Sequence, residues 1–334
     1  MQPQNLPHDL LNIGVIGLGS IGLRMLAAFA EHQTLNALVA WDPSDAACAA
    51  ARQRFPALRI ADHADAVIHD AGVELIYVAC PPNLHAQYAL ATADVGKALL
   101  CEKPLGINVT ESEALVASLR GRMPQAVNFL LAAARSADYV VQQSQDGQLG
   151  ALRSVEVHLH LPGWAARRYA EAPWLAKREA GGFLREVGSH FVYFARRLLG
   201  ELTCTVSEIR YASDHDDAET NVFAVFDGAG VPVTLRGSTV GHGDDLNHCI
   251  VSGDKASYRI RDFHNLDVAT PEGWVPIYDA PAHPERETHL RQCDRVVDMM
   301  RGKTGTTASL ADALAVQHMV ESMHTGASYR YTRA

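Results

Sequence analysis

The stretch "IGVIGLGSIG" (Ile13–Gly22) decides the fold. A short apolar run ends in a G-x-G-x-x-G spacing of Gly17, Gly19 and Gly22, and "SIGLRMLAAFAEH" (Ser20–His32) then takes up a helical period. In a strand–turn–helix unit the first glycine permits a tight turn. The second lets a phosphate approach the main chain, and the third lets helix and strand pack closely. The opening helix turns its unpaired N–H groups and positive dipole end toward that phosphate. Glycines are common in turns, so the trio alone is weak evidence; its position between strand and helix strengthens it. Asp42 closes the strand-like "ALVAWD" (Ala37–Asp42), about 20 residues on, where an acidic side chain meets ribose hydroxyls. That carboxylate would repel a 2′-phosphate, so NAD is expected over NADP, for which Arg52 and Arg54 would be the partners. The expected dinucleotide contacts here are Gly17, Gly19, Ser20, Ile21, Gly22 and Asp42.

Outward from this unit the same rhythm repeats. Ser44–Phe55 reads as helix, "ELIYVAC" (Glu74–Cys80) as strand, "LHAQYALATADV" (Leu84–Val95) as helix and "ALLCEK" (Ala98–Lys103) as strand. Continuous apolar strands between helices predict a doubly wound parallel sheet covered on both faces. After a crossover near Arg122–Val127 the pattern changes to alternation, in "LRSVEVHLHL", "NVFAVFDG", "VPVTLRGSTV" and "HCIVSGDKASYRIRDF". Turn signals at Asp227-Gly228 and Gly253-Asp254 join these into an expected antiparallel sheet. Helical patterns near Glu285–Arg301 and Ser309–Met323 close the chain. The reading is α/β with two domains, residues 1–125 and 126–334.

Bulk properties agree with this. The 334 residues exceed a single core at about 150 residues per domain. Apolar residues make up 48% and charged residues 20%, a globular composition. A formal net charge of -9 argues against a nucleic-acid or anionic-membrane partner. The six cysteines are scattered with no C-x-x-C pair, as expected of free thiols in a reducing cytoplasm. "MQPQNLPHDL" carries no basic segment before an apolar core, so neither a signal peptide nor a membrane span is expected. His158 and His160 share one side of a strand without a third ligand, and no metal is expected. "SDHDDAET" (Ser213–Thr220) reads as a solvated turn.

Ligands of doubly wound sheets lie beyond the carboxyl ends of the strands. Two stretches put their polar residues there: "YVACPPNLHAQYAL" (Tyr77–Leu90) and "LLCEKPL" (Leu99–Leu105). Pro81 and Pro82 lack the N–H that a ladder needs and turn the chain away. Cys80, Pro81, Asn83, His85, Glu102 and Lys103 are therefore expected along the cofactor.

These motifs resemble the glucose–fructose oxidoreductase, inositol dehydrogenase and MocA family (Gfo/Idh/MocA). The resemblance runs on through "EAGGFLREVGSHFVYFARRLLG" (Glu179–Gly200) to "SLADALAVQHMVESMHTGAS" (Ser309–Ser328). It implies an N-terminal Rossmann domain and a C-terminal α/β domain with a large, mostly antiparallel sheet. It further implies a cis peptide before Pro104, and homodimers or homotetramers packed through that sheet. In the family the lysine of the Glu-Lys-Pro motif and an Asp-x-x-x-His pair reach the substrate. Lys103 and His190 match; Glu186 stands in the aspartate position, and Tyr193 where a further acid is often found. The family's "GFNYR"-like segment reads "NFLLA" (Asn128–Ala132), so Leu130 and Ala132 replace polar residues.

The implied activity is hydride transfer between a nicotinamide cofactor and a secondary alcohol or carbonyl of a sugar-like or related small hydroxylated substrate. Redox-neutral lyase or glycoside cleavage with transient oxidation, and non-catalytic NAD-dependent regulation, are the alternatives. For oxidation the protein must handle the hydroxyl proton. A histidine suits that task, and Glu186, four residues before His190, would share a helix face with it. A cationic Lys103 would stabilise developing alkoxide charge. The expected catalytic set is Lys103, His190 and Glu186. Trp164 and Arg167, in a segment with Arg168, Trp174 and Lys177, join those three as expected substrate contacts.

Overall fold

The computed structural model describes residues 10–164, 167, 172–212, 216–278, 282–303, 305, 307–326 and 328–329. The chain forms two compact units: Met1–Asn128 with His289–Leu310, and Phe129–Thr288 with Ala311–Ala334.

The first unit is built on six parallel strands: β1 (Leu11–Ile16), β2 (Leu35–Trp41), β3 (Arg59–Ile60), β4 (Leu75–Val78), β5 (Ala98–Glu102) and β6 (Gln125–Asn128). Their order is β3-β2-β1-β4-β5-β6. The winding therefore reverses between β1 and β4, and such a reversal opens a crevice beyond the strand ends. Every residue of β4 and β5 is buried, as the apolar runs Leu75–Val78 and Ala98–Cys101 require; Glu102, which ends β5, is the one charged residue among them. Helices Ser20–Glu31, Asp45–Arg54, His85–Asp94 and Val109–Leu119 connect the strands. Two begin on side-chain caps: Ser44 accepts from the Ala47 N–H and Asn108 from the Glu111 N–H, each satisfying an N–H that the helix itself leaves open.

The sequence reading assigned residues 126–334 to one domain, yet His289–Leu310 belongs to the first unit. The reason is apolar. Cys293, Val296, Val297 and Met299 from the helix Pro284–Met300 join Ile13, Val15, Phe29, Leu75, Tyr77 and Leu100 in one core. The segment ends on an antiparallel bridge in which the Val127 N–H donates to the Ala308 carbonyl at 2.9 Å.

The second unit carries β7 (Leu152–His160), β8 (Thr203–Tyr211), β9 (Glu219–Gly228), β10 (Val231–Ser238), β11 (Leu246–Gly253), β12 (Ser257–Arg261), β13 (Asn265–Thr270), β14 (Gly273–Pro276) and β15 (Ser328–Tyr329). They form one sheet, β14-β13-β12-β11-β7-β10-β9-β8-β15. All pairings are antiparallel except β7 with β10 and β8 with β15. Burial alternates along β7, β9 and β10, so one face is covered and the other open. The Phe183 ring lies over Gly237 and Leu199 over Gly228 on the covered face. The helices Arg135–Gln145 and Ser189–Leu199 are tied to each other by an Arg197–Asp138 ion pair at 2.9 Å.

Candidate active site

The glycine loop has the shape a dinucleotide needs. Gly17 has φ +104, and a Cβ there would lie 2.5 Å from the Ala79 carbonyl carbon and oxygen. A Cβ on Gly22 would lie 2.1 Å from the Gly17 oxygen, whereas nothing lies within 4 Å of one on Gly19. Two glycines thus allow close packing and the middle one leaves open space for a pyrophosphate. Gly19, Ser20 and Ile21 are exposed together. Asp42 accepts from the Leu18 N–H at 2.7 Å through Oδ2 and from the Ser44 N–H at 2.8 Å through Oδ1. Each carboxylate oxygen keeps capacity for another bond, which suits the two hydroxyls of a ribose. The residues present therefore fit NAD.

The ends of β4 and β5 are held by a polar network. Pro81 and Asn83 are exposed and Cys80 is half-buried; burial pushes the Cys80 thiol up to about 12. His85 is 1% exposed. Its Nδ1 lies 2.9 Å from the Pro104 carbonyl and its Nε2 2.9 Å from the Cys80 carbonyl. The imidazole thus clamps the two loops together, and a neutral ring donates to only one of these oxygens. The Lys103–Pro104 peptide is cis. Glu102 is buried; its Oε1 accepts from the Tyr77 hydroxyl at 2.5 Å and from Asn128 Nδ2 at 2.7 Å. Gln292 Nε2 donates in turn to Asn128 Oδ1 at 2.6 Å. Burial, then the negative Glu102, keeps Tyr77 protonated, with its pKa well above the usual value. Glu102 and His85 were expected along the cofactor; the contacts described here run from Glu102 Oε1 and from both His85 nitrogens to neighbouring protein groups. Tyr77, Asn128 and Gln292 escaped the sequence reading: the first two looked like strand residues, and the third comes from a remote helix. Lys103 follows this anchor and is half-buried.

In the second unit, Glu186 and His190 lie four residues apart across a change of helix type. A single π-turn, Leu184–Gly188, carries Glu186 and leads into the helix Ser189–Leu199, which carries His190. Such wide turns recur at functional sites. The fully buried Glu219 sits beneath it: Oε1 accepts from the Leu184 N–H at 2.7 Å. Gly182, at φ +103, leaves room for that carboxylate, since a Cβ would lie 2.3 Å from Glu219 Oε2. Burial raises the Glu219 carboxyl to about 7. Arg185, next to Glu186, is spent on a bidentate pair with Glu321 at 2.8 and 3.0 Å and on the carbonyls of Arg178 and Gly181.

His190 is 8% exposed. Its Nδ1 accepts from the Leu130 N–H at 3.3 Å. The ring meets Phe129 and Phe263 edge-on, at centroid distances of 5.8 and 5.7 Å. Tyr193 stacks on Phe129 at 4.7 Å; an aromatic residue stands where the family resemblance led one to look for an acid.

The other expected substrate contacts lie in different surroundings. Trp164 is buried and does not present an open ring face. Arg167 donates to Asp245 at 2.6 Å and to the Pro162 carbonyl at 3.1 Å. Lys177 pairs with Asp217 at 3.3 Å. Arg168 and Ser213–His215 lie outside the described residues. Among the described residues, no group of three or more His, Cys, Asp or Glu is placed to hold a metal, and no helix is long and apolar enough to cross a membrane.

Residues 11–127 match the model of an oxidoreductase family with an NAD-binding Rossmann fold, and residues 139–259 match the Gfo/Idh/MocA C-terminal domain. The chain belongs to the Gfo/Idh/MocA oxidoreductase family. Its first unit is thus an NAD-binding Rossmann domain. Among curated relatives, levoglucosan dehydrogenase of Pseudarthrobacter phenanthrenivorans is 27% identical over 205 residues, covering 58% of this chain and 52% of that protein. Inositol 2-dehydrogenase 2 of Saccharopolyspora erythraea is 36% identical over 121 residues, 34% of each chain. These alignments thus span about half and about a third of those relatives. In fold, a crystallised oxidoreductase from Agrobacterium radiobacter, in complex with NAD+, L-tartaric acid and magnesium, superposes with a TM-score of 0.82 at 18% identity, over 94% of this chain and 95% of that one.

Proposed function

We propose that this oxidoreductase is an NAD-dependent dehydrogenase acting on a secondary alcohol, or the matching carbonyl, of a sugar-like or related small hydroxylated molecule. The observation that carries the reading is the end of β5. A buried strand delivers Lys103 on a cis-proline turn, anchored through Glu102, in the unit that holds the glycine loop and Asp42. Bound NAD supplies the hydride acceptor; the protein's own groups bind, orient and move the proton. Asp42 supports NAD over NADP, because a 2′-phosphate would meet its negative charge. We assign proton handling and substrate contact to Lys103, Glu186 and His190. Named activities of the relatives on levoglucosan and on inositol support a polyol-like substrate.

The second unit offers a self-association surface on the open face of its sheet. Glu208, Phe223, Arg236 and His158 stand in register across β8, β9, β10 and β7, and Phe223 and Val206 are 48% exposed. We assign this face to a homodimer or homotetramer. Six free cysteines support a cytoplasmic, reducing location.

The test is the appearance of NADH absorbance when the protein is mixed with NAD or NADP and a panel of inositols, aldoses, sugar acids and anhydrosugars. Reduction of NAD by at least one member is expected. Tight NAD binding with no turnover in either direction across the panel would defeat the proposal.

A further inference from the structure

We propose that His158 and His248, paired at the centre of the open sheet face, make self-association of this protein depend on pH. Two copies pack face to face while both imidazoles are neutral and separate as the imidazoles take up protons. The proposal rests on the self-association reading of this face given above and adds its regulation.

The strand register builds the arrangement. β7 is the fifth strand of the nine-stranded sheet and carries His158, so a partner that covers the centre of the face covers this residue. Arg236 on β10 stands opposite His158 on one side and His248 on β11 on the other; Arg261 on β12 stands opposite His248. Four basic residues therefore follow one another across four neighbouring strands, each about 4.8 Å from the next. Along β7 itself, Glu156 and His160 flank His158 on the same face, as the two-residue period requires.

The contacts hold these histidines neutral. Arg236 Nη2 donates to His158 Nδ1 at 2.9 Å. A guanidinium only donates, so Nδ1 is the acceptor and the ring proton lies on Nε2. A second proton would set N–H against N–H and a cation against a cation. Beyond His248, the single carboxylate of Asp267 accepts from both Arg259 and Arg261, which leaves that side positive. Burial first, then Arg236, then His248 and His160, hold the His158 pKa below its ordinary value. For His248, burial and Arg259 act in the same direction, with Arg261 adding to them and Asp262 and Asp267 opposing.

The face also suits a second copy of this chain. Among the described residues, neither Arg236 nor Glu156 has an ion-pair partner: Arg236 is bonded to His158 and Glu156 accepts from the Ser154 hydroxyl. Across a two-fold axis a lone cation and a lone carboxylate on one surface meet each other's counterparts. The axis that pairs them runs between the two, beside His158. Val206, Phe223 and Val225 share this face and supply apolar contact. Packing removes water from both imidazoles, and desolvation disfavours their charged form. The assembled protein thus binds fewer protons than its separate chains. Association is strongest above the ordinary histidine pKa of about 6.5 and weakens as pH falls through and below it.

Sedimentation velocity of the full chain over a concentration series, at about pH 7.5 and about pH 5.0, reads the dissociation constant. It should rise at least about tenfold on acidification, because each assembled pair excludes protons from two histidines per copy. The double variant His158→Gln, His248→Gln keeps an amide oxygen that accepts from Arg236, and its constant should be nearly the same at both pH values. Each single replacement should remove about half of the shift on a logarithmic scale, which serves as the test if the double variant does not fold. A constant that does not change with pH in the parent, or replacements that leave the shift as it was, would overturn the proposal. Phe223→Glu, at a position 48% exposed, should abolish association at the higher pH. If that variant associates as the parent does, or the parent is monomeric there, the self-association reading itself fails, and the histidine switch with it.

Discussion

The turn that carries Lys103 and the turn that leads to His190 are both buried, but they are held by different parts of the chain. In the first unit, side chains do the holding: Tyr77 and Asn128 donate to Glu102, and Gln292 donates to Asn128. In the second unit, main-chain N–H groups carry the contacts, Leu184 to Glu219 and Leu130 to His190. The difference predicts what each turn tolerates. The lysine turn should be sensitive to side-chain identity and forgiving of backbone. The histidine turn should be sensitive to backbone freedom, above all at Gly182, and more forgiving of the side chains that merely present an N–H.

The largest effect expected from either turn is chemical. Lys103→Ala should lower turnover by about a thousandfold, within the range for lost proton transfer, while NAD titrated by fluorescence binds as before. Near-normal turnover would remove Lys103 from the reaction and leave the side-chain network as mere scaffolding. Next comes Gly182→Ala, which sets a methyl group against the Glu219 carboxylate at a backbone φ of +103. A loss of about 3 kcal/mol in urea unfolding is expected, from strain and clash together. A loss near zero would show that the histidine turn is not backbone-limited.

Smaller effects should appear in the pH dependence of stability. Glu219 is raised by burial to about 7, so the folded state holds this proton more firmly than the unfolded one. Its contribution is complete below the ordinary carboxylate pKa and is lost as pH rises through about 7. Glu219→Gln should flatten that loss and retain an acceptor for the Leu184 N–H. His324 has the opposite sign. Burial, then Arg185 and Arg178, depress it to about 3, so its contribution is complete above the ordinary histidine pKa and is lost as pH falls toward about 3. His324→Gln should flatten the acid limb. Chemical denaturation in buffers from about pH 3 to mildly alkaline reads both, and parallel curves for variant and parent would refute the assignments. The smallest effect is expected for Tyr77→Phe, which removes one of the two donors to Glu102. About 1–2 kcal/mol should be lost in thermal or urea unfolding, and Lys103-dependent turnover should fall with it.

Legibility from sequence followed the same division. Strands β4 and β5 announce themselves because strands buried on both faces must be apolar throughout. The glycine trio and Asp42 could be read because steric and charge demands there admit few residue types. The Glu-Lys-Pro motif stood out as charge at the end of a buried strand. By contrast, "FLREVGSH" reads as an ordinary helix. Its wide turn depends on Gly182 and on Glu219 beneath it, which lies 35 residues on. The bond from Leu130 to His190 uses a group that every residue but proline possesses, so no choice of side chain betrays it. Asn128 was only the first residue of "NFLLA" in the sequence until its partners, Glu102 and Gln292, were located. The apolar stripe of Pro284–Met300 predicted a helix but not which core would receive it.

The return of His289–Leu310 to the first unit has a practical consequence for recombining this oxidoreductase with others. A cofactor module excised after β6 would expose the seats of Cys293, Val296 and Val297 to water and leave Asn128 without Gln292. A chimaera that borrows NAD binding from this chain has to import two stretches of sequence, stitched together across whatever substrate domain is inserted between them.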